Sequence, residues 1–121
     1  MTASPLFVPP YYSVIFTSLL PEHTKEYGET SDKIYELAQT QRGFLAMDSV
    51  RDAAGHGVTI SYWRTEDDVI KFRKIAEHRH AQQSGRNTFY ERYEVRVAKV
   101  EKEYAWRRKA DGAGEYVKRG P

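Results

Sequence analysis

The residue best equipped for chemistry near neutral pH is His78, in the run Glu77-His78-Arg79-His80-Ala81-Gln82. A neutral imidazole can accept a phenolic proton, ligate iron or donate a hydrogen bond. A histidine that only caps or tethers its helix would look the same. Gln82 follows one helical turn later and would present an amide on the same face. His80 lies about 200° round the helix from His78 and is expected at the surface. Trp63, Phe16, Phe72 and Phe89 offer flat rings, and Tyr90 and Tyr93 add two more. Such rings suit a pocket wall for a planar ligand, and they suit a core equally well. His23 and His56 lack the carboxylate or cysteine spacing of a metal site, so no metal is expected and neither takes a role.

These residues need a scaffold. Tyr11–Leu20 is rich in aromatic and β-branched residues and is stopped by Pro21, which reads as a first strand. Residues 22–41 place Tyr27, Ile34, Leu37 and Ala38 at helical steps among charges, an amphipathic helix that ends before Gly43. Strands are predicted over 43–52 and 58–64, joined by a turn containing Gly55 and Gly57. Thr65, followed by Glu66, Asp67 and Asp68, predicts the capped start of a second helix running to about Gln83, with a break near Ala76–His78. The last strand is expected over 89–106, bulged near Ala98–Lys99, where the apolar parity changes. Its charges, Arg86, Arg92, Arg96 and Lys99 against Glu91, Glu94 and Glu101, are expected to form cross-strand ion pairs.

The order β-α-β-β-α-β predicts an α+β domain of the ferredoxin-like kind, a four-stranded antiparallel sheet with both helices on one face. In a monomer the other face should be polar. Here both parities of the strands are apolar: Tyr11, Ile15 and Leu19 against Tyr12, Val14, Phe16 and Leu20; Phe44, Ala46 and Val50 against Leu45 and Met47; Val58, Ile60 and Tyr62 against Trp63. A homodimer packed sheet to sheet is expected to cover the second face.

A length of 121 residues suits one domain, read as a leader over 1–10, the domain over 11–106 and a loose Gly-, Lys- and Arg-rich tail over 107–121, for which a neighbouring subunit would be the natural support. With 19 basic and 17 acidic residues the net charge is +2, so nucleic acid is not an expected partner. The absence of cysteine suits a reducing compartment. Neither a signal peptide nor a membrane-length apolar run is seen, and a cytoplasmic protein that meets no membrane is expected. No glycine-rich phosphate loop announces a nucleotide cofactor.

Four short elements, Val14-Ile15-Phe16-Thr17-Ser18, Gly43-Phe44-Leu45, Ile60-Ser61-Tyr62-Trp63 and Glu77-His78-Arg79-His80-Ala81-Gln82, occur in an order that resembles the antibiotic biosynthesis monooxygenase (ABM) family. The resemblance spans about Tyr11 to Tyr104. It implies a dimeric α+β barrel and a pocket between sheet and helices. It also implies an oxidoreductase: a monooxygenase that oxidises a small quinol- or polyketide-like aromatic with O₂ and no cofactor. Trp63, Phe72, Phe16, Gln82 and Phe89 would then bind the substrate, and His78 would act as general base. The family's heme-degrading branch offers the alternative, a heme-binding or heme-degrading enzyme. That branch implies an Asn on the first strand, a Trp on the second helix and a His ligand beyond it; the matching positions hold Thr17 or Ser18, Phe72 and His78. A third reading is a non-catalytic dimeric module that binds a small molecule.

Overall fold

The computed structural model describes residues 6–21, 35–84 and 90–120, with the backbone alone for 79–84. Its elements are β1 (Tyr11–Leu19), β2 (Phe44–Arg51), β3 (His56–Trp63), a long helix (Glu66–Ser84), β4 (Arg92–Val100), β5 (Glu103–Arg108) and β6 (Gly114–Arg119). The first four strands form one antiparallel sheet in the order β2-β3-β1-β4. Strands β1 and β3 take the two central places; β1 is apolar at most positions of both parities, as a strand buried on both faces must be. Residues 35–39 are helical and precede β2; the rest of the helix expected over 22–41 lies outside the described residues.

The long helix begins where the sequence places it. Thr65 Oγ1 accepts the Asp68 amide at 3.1 Å and donates to Asp68 Oδ2 at 2.8 Å, and Glu66, Asp67 and Asp68 fill the first turn. The break expected near Ala76–His78 is absent. The segment contains neither Pro nor Gly, so nothing interrupts its hydrogen-bond ladder.

Strand register sorts every sheet residue onto a face. Tyr12, Val14 and Phe16 share the helix side with Trp63, Ser61 and Thr59, whereas Tyr11, Ser13 and Ile15 share the open side with Val100, Tyr62 and Ile60. One correction concerns β2. Its register shifts between Phe44 and Ala46, so Leu45 is an extra residue in the ladder. That bulge puts Phe44 and Met47 together on the helix side and leaves Ala46, Asp48 and Val50 on the open side, where strict alternation would have divided them otherwise. On the helix side Trp63, Val69, Phe72 and Ala38 form the buried core, with Tyr12, Val14, Leu37, Phe44, Met47 and Ala76 packed around it.

A second correction concerns the chain after β4. The pairing of β1 with β4 is unbroken from Tyr11–Val100 to Leu19–Arg92, so no bulge occurs at Ala98–Lys99. The chain instead leaves the sheet at Glu101–Lys102, and β5 pairs with β6 as a separate hairpin. The segment expected as a loose tail thus supplies β6 and part of β5. Gly112, at a φ of +92°, turns the chain at the tip.

Candidate functional site

Four rows of side chains cross the helix-facing side of the sheet. Reading from β2 to β4, they are Phe44–Trp63–Tyr12–Lys99, Met47–Ser61–Val14–Val97, Ser49–Thr59–Phe16–Val95 and Arg51–Gly57–Ser18–Tyr93. Aromatic rings concentrate at the two ends of this array. At one end Trp63 stacks on Phe72 (4.7 Å between centroids, 28° between planes) and meets Phe44 edge-on at 5.5 Å. At the other, Phe16 stacks on Tyr93 (5.3 Å, 21°), with Tyr90 edge-on to both. The two groups are four residues apart along the ladder, about 13 Å.

Along β3 the strip between them is polar and small. Ser61 Oγ accepts the Trp63 indole N–H at 2.8 Å, buried, and the hydroxyls of Ser49 and Thr59 bond each other at 2.8 Å. Beyond Thr59 the Arg51 guanidinium crosses β3 to donate to Ser18 Oγ on β1 at 2.7 Å and to the Gly55 carbonyl. It can cross there because position 57 is glycine: a Cβ would stand 2.3 Å from the guanidinium carbon. A permanent cation therefore lies beside the Phe16–Tyr93 stack. The β4 side of this end is open, since Tyr93, Val95 and Val97 keep 40 to 47% of their surface accessible.

The structure therefore divides the residues that the sequence nominates. Trp63 and Phe72 come together as core, and Trp63 is 0% exposed. Phe16 belongs to the second aromatic group. His78 is exposed; it lies roughly 180° round the helix from Val69 and 120° from Phe72, which face the sheet. Heme would thus find this imidazole turned from the aromatic strip, and the described residues do not fit it. Phe89, Arg86 and His23 lie outside the described residues, as do the side chains of His80 and Gln82. His56 has a carboxylate partner that the sequence reading overlooked: its amide donates to Asp52 Oδ1 at 2.8 Å and Nδ1 lies 3.5 Å from Oδ2. Among the described residues no three His, Asp or Glu side chains converge as a metal site.

Arg51, Thr59 and Ser61 are the polar residues that sequence reasoning passed over. The signal was Gly57, a strand glycine where a neighbouring side chain crosses.

The open side carries polar groups of its own. Tyr11 donates to Glu103 Oε2 at 2.6 Å and Tyr62 to Asp48 Oδ2 at 3.3 Å, with Phe7 packed against both rings. Burial first, and then the neighbouring carboxylates, push both phenols above the ordinary tyrosine value.

Comparison with known proteins agrees with this architecture. The family model described as antibiotic biosynthesis monooxygenase matches residues 10–84, and the chain belongs to that family. It is 47% identical over 95 residues to the uncharacterized protein YqjZ of Bacillus subtilis (strain 168), covering 78% of this chain and 83% of that one. A mutant form of SnoaB, a cofactor-independent oxygenase from Streptomyces nogalater, shares the fold with a TM-score of 0.63 at 12% identity, over 76% of this chain and 94% of its own. PA3566 of Pseudomonas aeruginosa does so with a TM-score of 0.61 at 14% identity, over 78% and 97%. No described helix is long and apolar enough to cross a membrane.

Proposed function

We propose that this protein is a monooxygenase working on a flat phenolic aromatic that lies on the Phe16–Tyr93 stack, with its oxygen directed toward Thr59 and Arg51. The observation that carries the reading is the juxtaposition of an aromatic platform, hydroxyls and a fixed guanidinium on one face of the sheet, open along β4. A phenol resting there would ionise more readily beside the cation, and the anion, stripped of part of its hydration, is electron-rich enough to react with O₂. At a ring carbon bearing two hydrogens, one oxygen atom enters as a carbonyl and the other leaves with both hydrogens as water. Family membership and the likeness to SnoaB support the reaction class. Trp63, buried and bonded to Ser61, packs with Phe72 at the other end of the same face and serves this reading as core rather than as a contact of the substrate. His78 keeps its eligibility as proton acceptor by residue type, although its position favours direct release of the proton to water along β4.

The working unit is proposed to be a homodimer. Val50 and Val58 are exposed on the open side next to Ile15 and Ile60, an apolar surface that a second copy would cover.

Oxygen uptake with a panel of quinols and anthrone-like phenols tests the activity. Wild-type protein should turn over at least one of them, Phe16→Ala should raise KM, and Arg51→Gln should lower kcat by roughly tenfold or more. His78→Ala should leave turnover unchanged if water takes the proton. A panel of such compounds oxidised no faster than without protein would sink the reading.

A further inference from the structure

The open side of the sheet has one row whose ends carry opposite charges: Asp48 on β2, then Ile60 and Ile15, then Arg96 on β4. The two ends are three strand spacings apart, about 14 Å, too far to pair within one chain. Among the described residues neither charge is neutralised by a cation or anion in its own copy. Asp48 accepts the Tyr62 hydroxyl through Oδ2, while Oδ1 is buried and has no hydrogen-bond partner. Arg96 is exposed and forms no ion pair among the described residues. Among the described residues the cross-strand ion pairs that the sequence suggests for this strand do not form, and Glu94, the nearby acid on the same face, is engaged by Thr17 Oγ1 at 3.0 Å.

We propose that a second copy of this chain completes both charges, Asp48 of each copy pairing with Arg96 of the other across the open faces. This rests on the homodimer proposed above and specifies its geometry. Two stacked sheets related by a two-fold axis between them have two simple arrangements. An axis running across the strands lays β2 over β2 and β4 over β4; at this row it sets Asp48 against Asp48 and Arg96 against Arg96, and at any other it leaves Asp48 over a strand with no cation on this face. Like charges meeting in a desolvated interface make that arrangement costly. An axis running along the strands keeps each row level and lays β2 of one copy over β4 of the other. Asp48 then faces Arg96 twice, and Ile15 and Ile60 meet at the centre.

Charge reversal tests this directly. Arg96→Glu, Asp48→Lys and the double variant would be compared with wild type by sedimentation equilibrium, with circular dichroism confirming that each is folded. Wild type should be dimeric, each single reversal should raise the dimer dissociation constant at least tenfold, and the double reversal should restore it to within about threefold. Should Asp48→Lys fail to fold, Asp48→Asn and Arg96→Gln form the equivalent cycle, with an expected coupling of several-fold. A dimeric wild type whose affinity is unmoved by Arg96→Glu, or a double variant no better than the worse single one, overturns the pairing while leaving the dimer intact. A monomeric wild type overturns both, so the two failures are distinguishable.

Discussion

Trp63 spends its one polar hydrogen on Ser61 Oγ in a place that water does not reach. Ser61→Ala should therefore cost about 1–3 kcal/mol, because a buried donor loses its acceptor. In denaturant unfolding, combining Ser61→Ala with Trp63→Phe should cost less than the sum of the two single changes, since the second removes the stranded donor. The phenols of Tyr11 and Tyr62 allow a second measurement at this scale. Their raised values mean that the folded state holds these protons more tightly than the unfolded chain, whose tyrosines ionise near pH 10. The stabilisation is complete below that pH and disappears as pH rises through the folded values. An absorbance titration should show two late-ionising tyrosines, with Tyr11→Phe removing one of them. Residue type alone made Trp63, Phe16 and His78 eligible for a site. What it could not show is which of them meet, because Arg51 reaches Ser18 only by way of a partner strand and the glycine between them.

At the scale of elements, the long helix was the most legible, because its cap and its acidic first turn are local chemistry. Thr65→Ala should destabilise the fold by about 1 kcal/mol, read as a lowered denaturant midpoint with unchanged slope. Gly43 is coupled to that cap: it has a φ of +84°, its carbonyl accepts the Arg64 amide at 2.8 Å, and a Cβ there would collide with the Asp68 carboxylate. Gly43→Ala should cost more than Thr65→Ala in the same assay, through both backbone strain and displacement of the capping carboxylate. The strands were legible by position but not always by face. The bulge at Leu45 involves no unusual residue type and appears only in the pairing with β3, so alternation groups Phe44 with Ala46 and Val50 although it faces the other side with Met47. The change of apolar parity at Ala98–Lys99 suggests a bulge, but Val97 and Val100 simply face opposite sides of an unbroken strand, and the chain leaves the sheet only at Glu101–Lys102. The β5–β6 hairpin did leave a sequence signal, Asp111-Gly112 between two short runs, which the surrounding lysines and arginines obscured.

For the whole molecule, the two-sided apolar sheet has a thermodynamic consequence. If the folded state is a dimer and the unfolded chain is not, Tm should rise with protein concentration, and a Tm independent of concentration would argue for a stable monomer. The hairpin adds a mechanical consequence. It pairs with no strand of the main sheet, Glu103 fastens its base to Tyr11, and the returning end lies so near Glu101 and Lys102 that a Cβ on Gly120 would strike them. Both ends are thus anchored at one neck while the tip at Asp111 and Gly112 stands about 20 Å away. Such a ribbon is a lever: a tilt of about 10° at the neck carries the tip about 3 to 4 Å over that length, so a small adjustment where Tyr11 meets Glu103 is magnified several-fold at the far end.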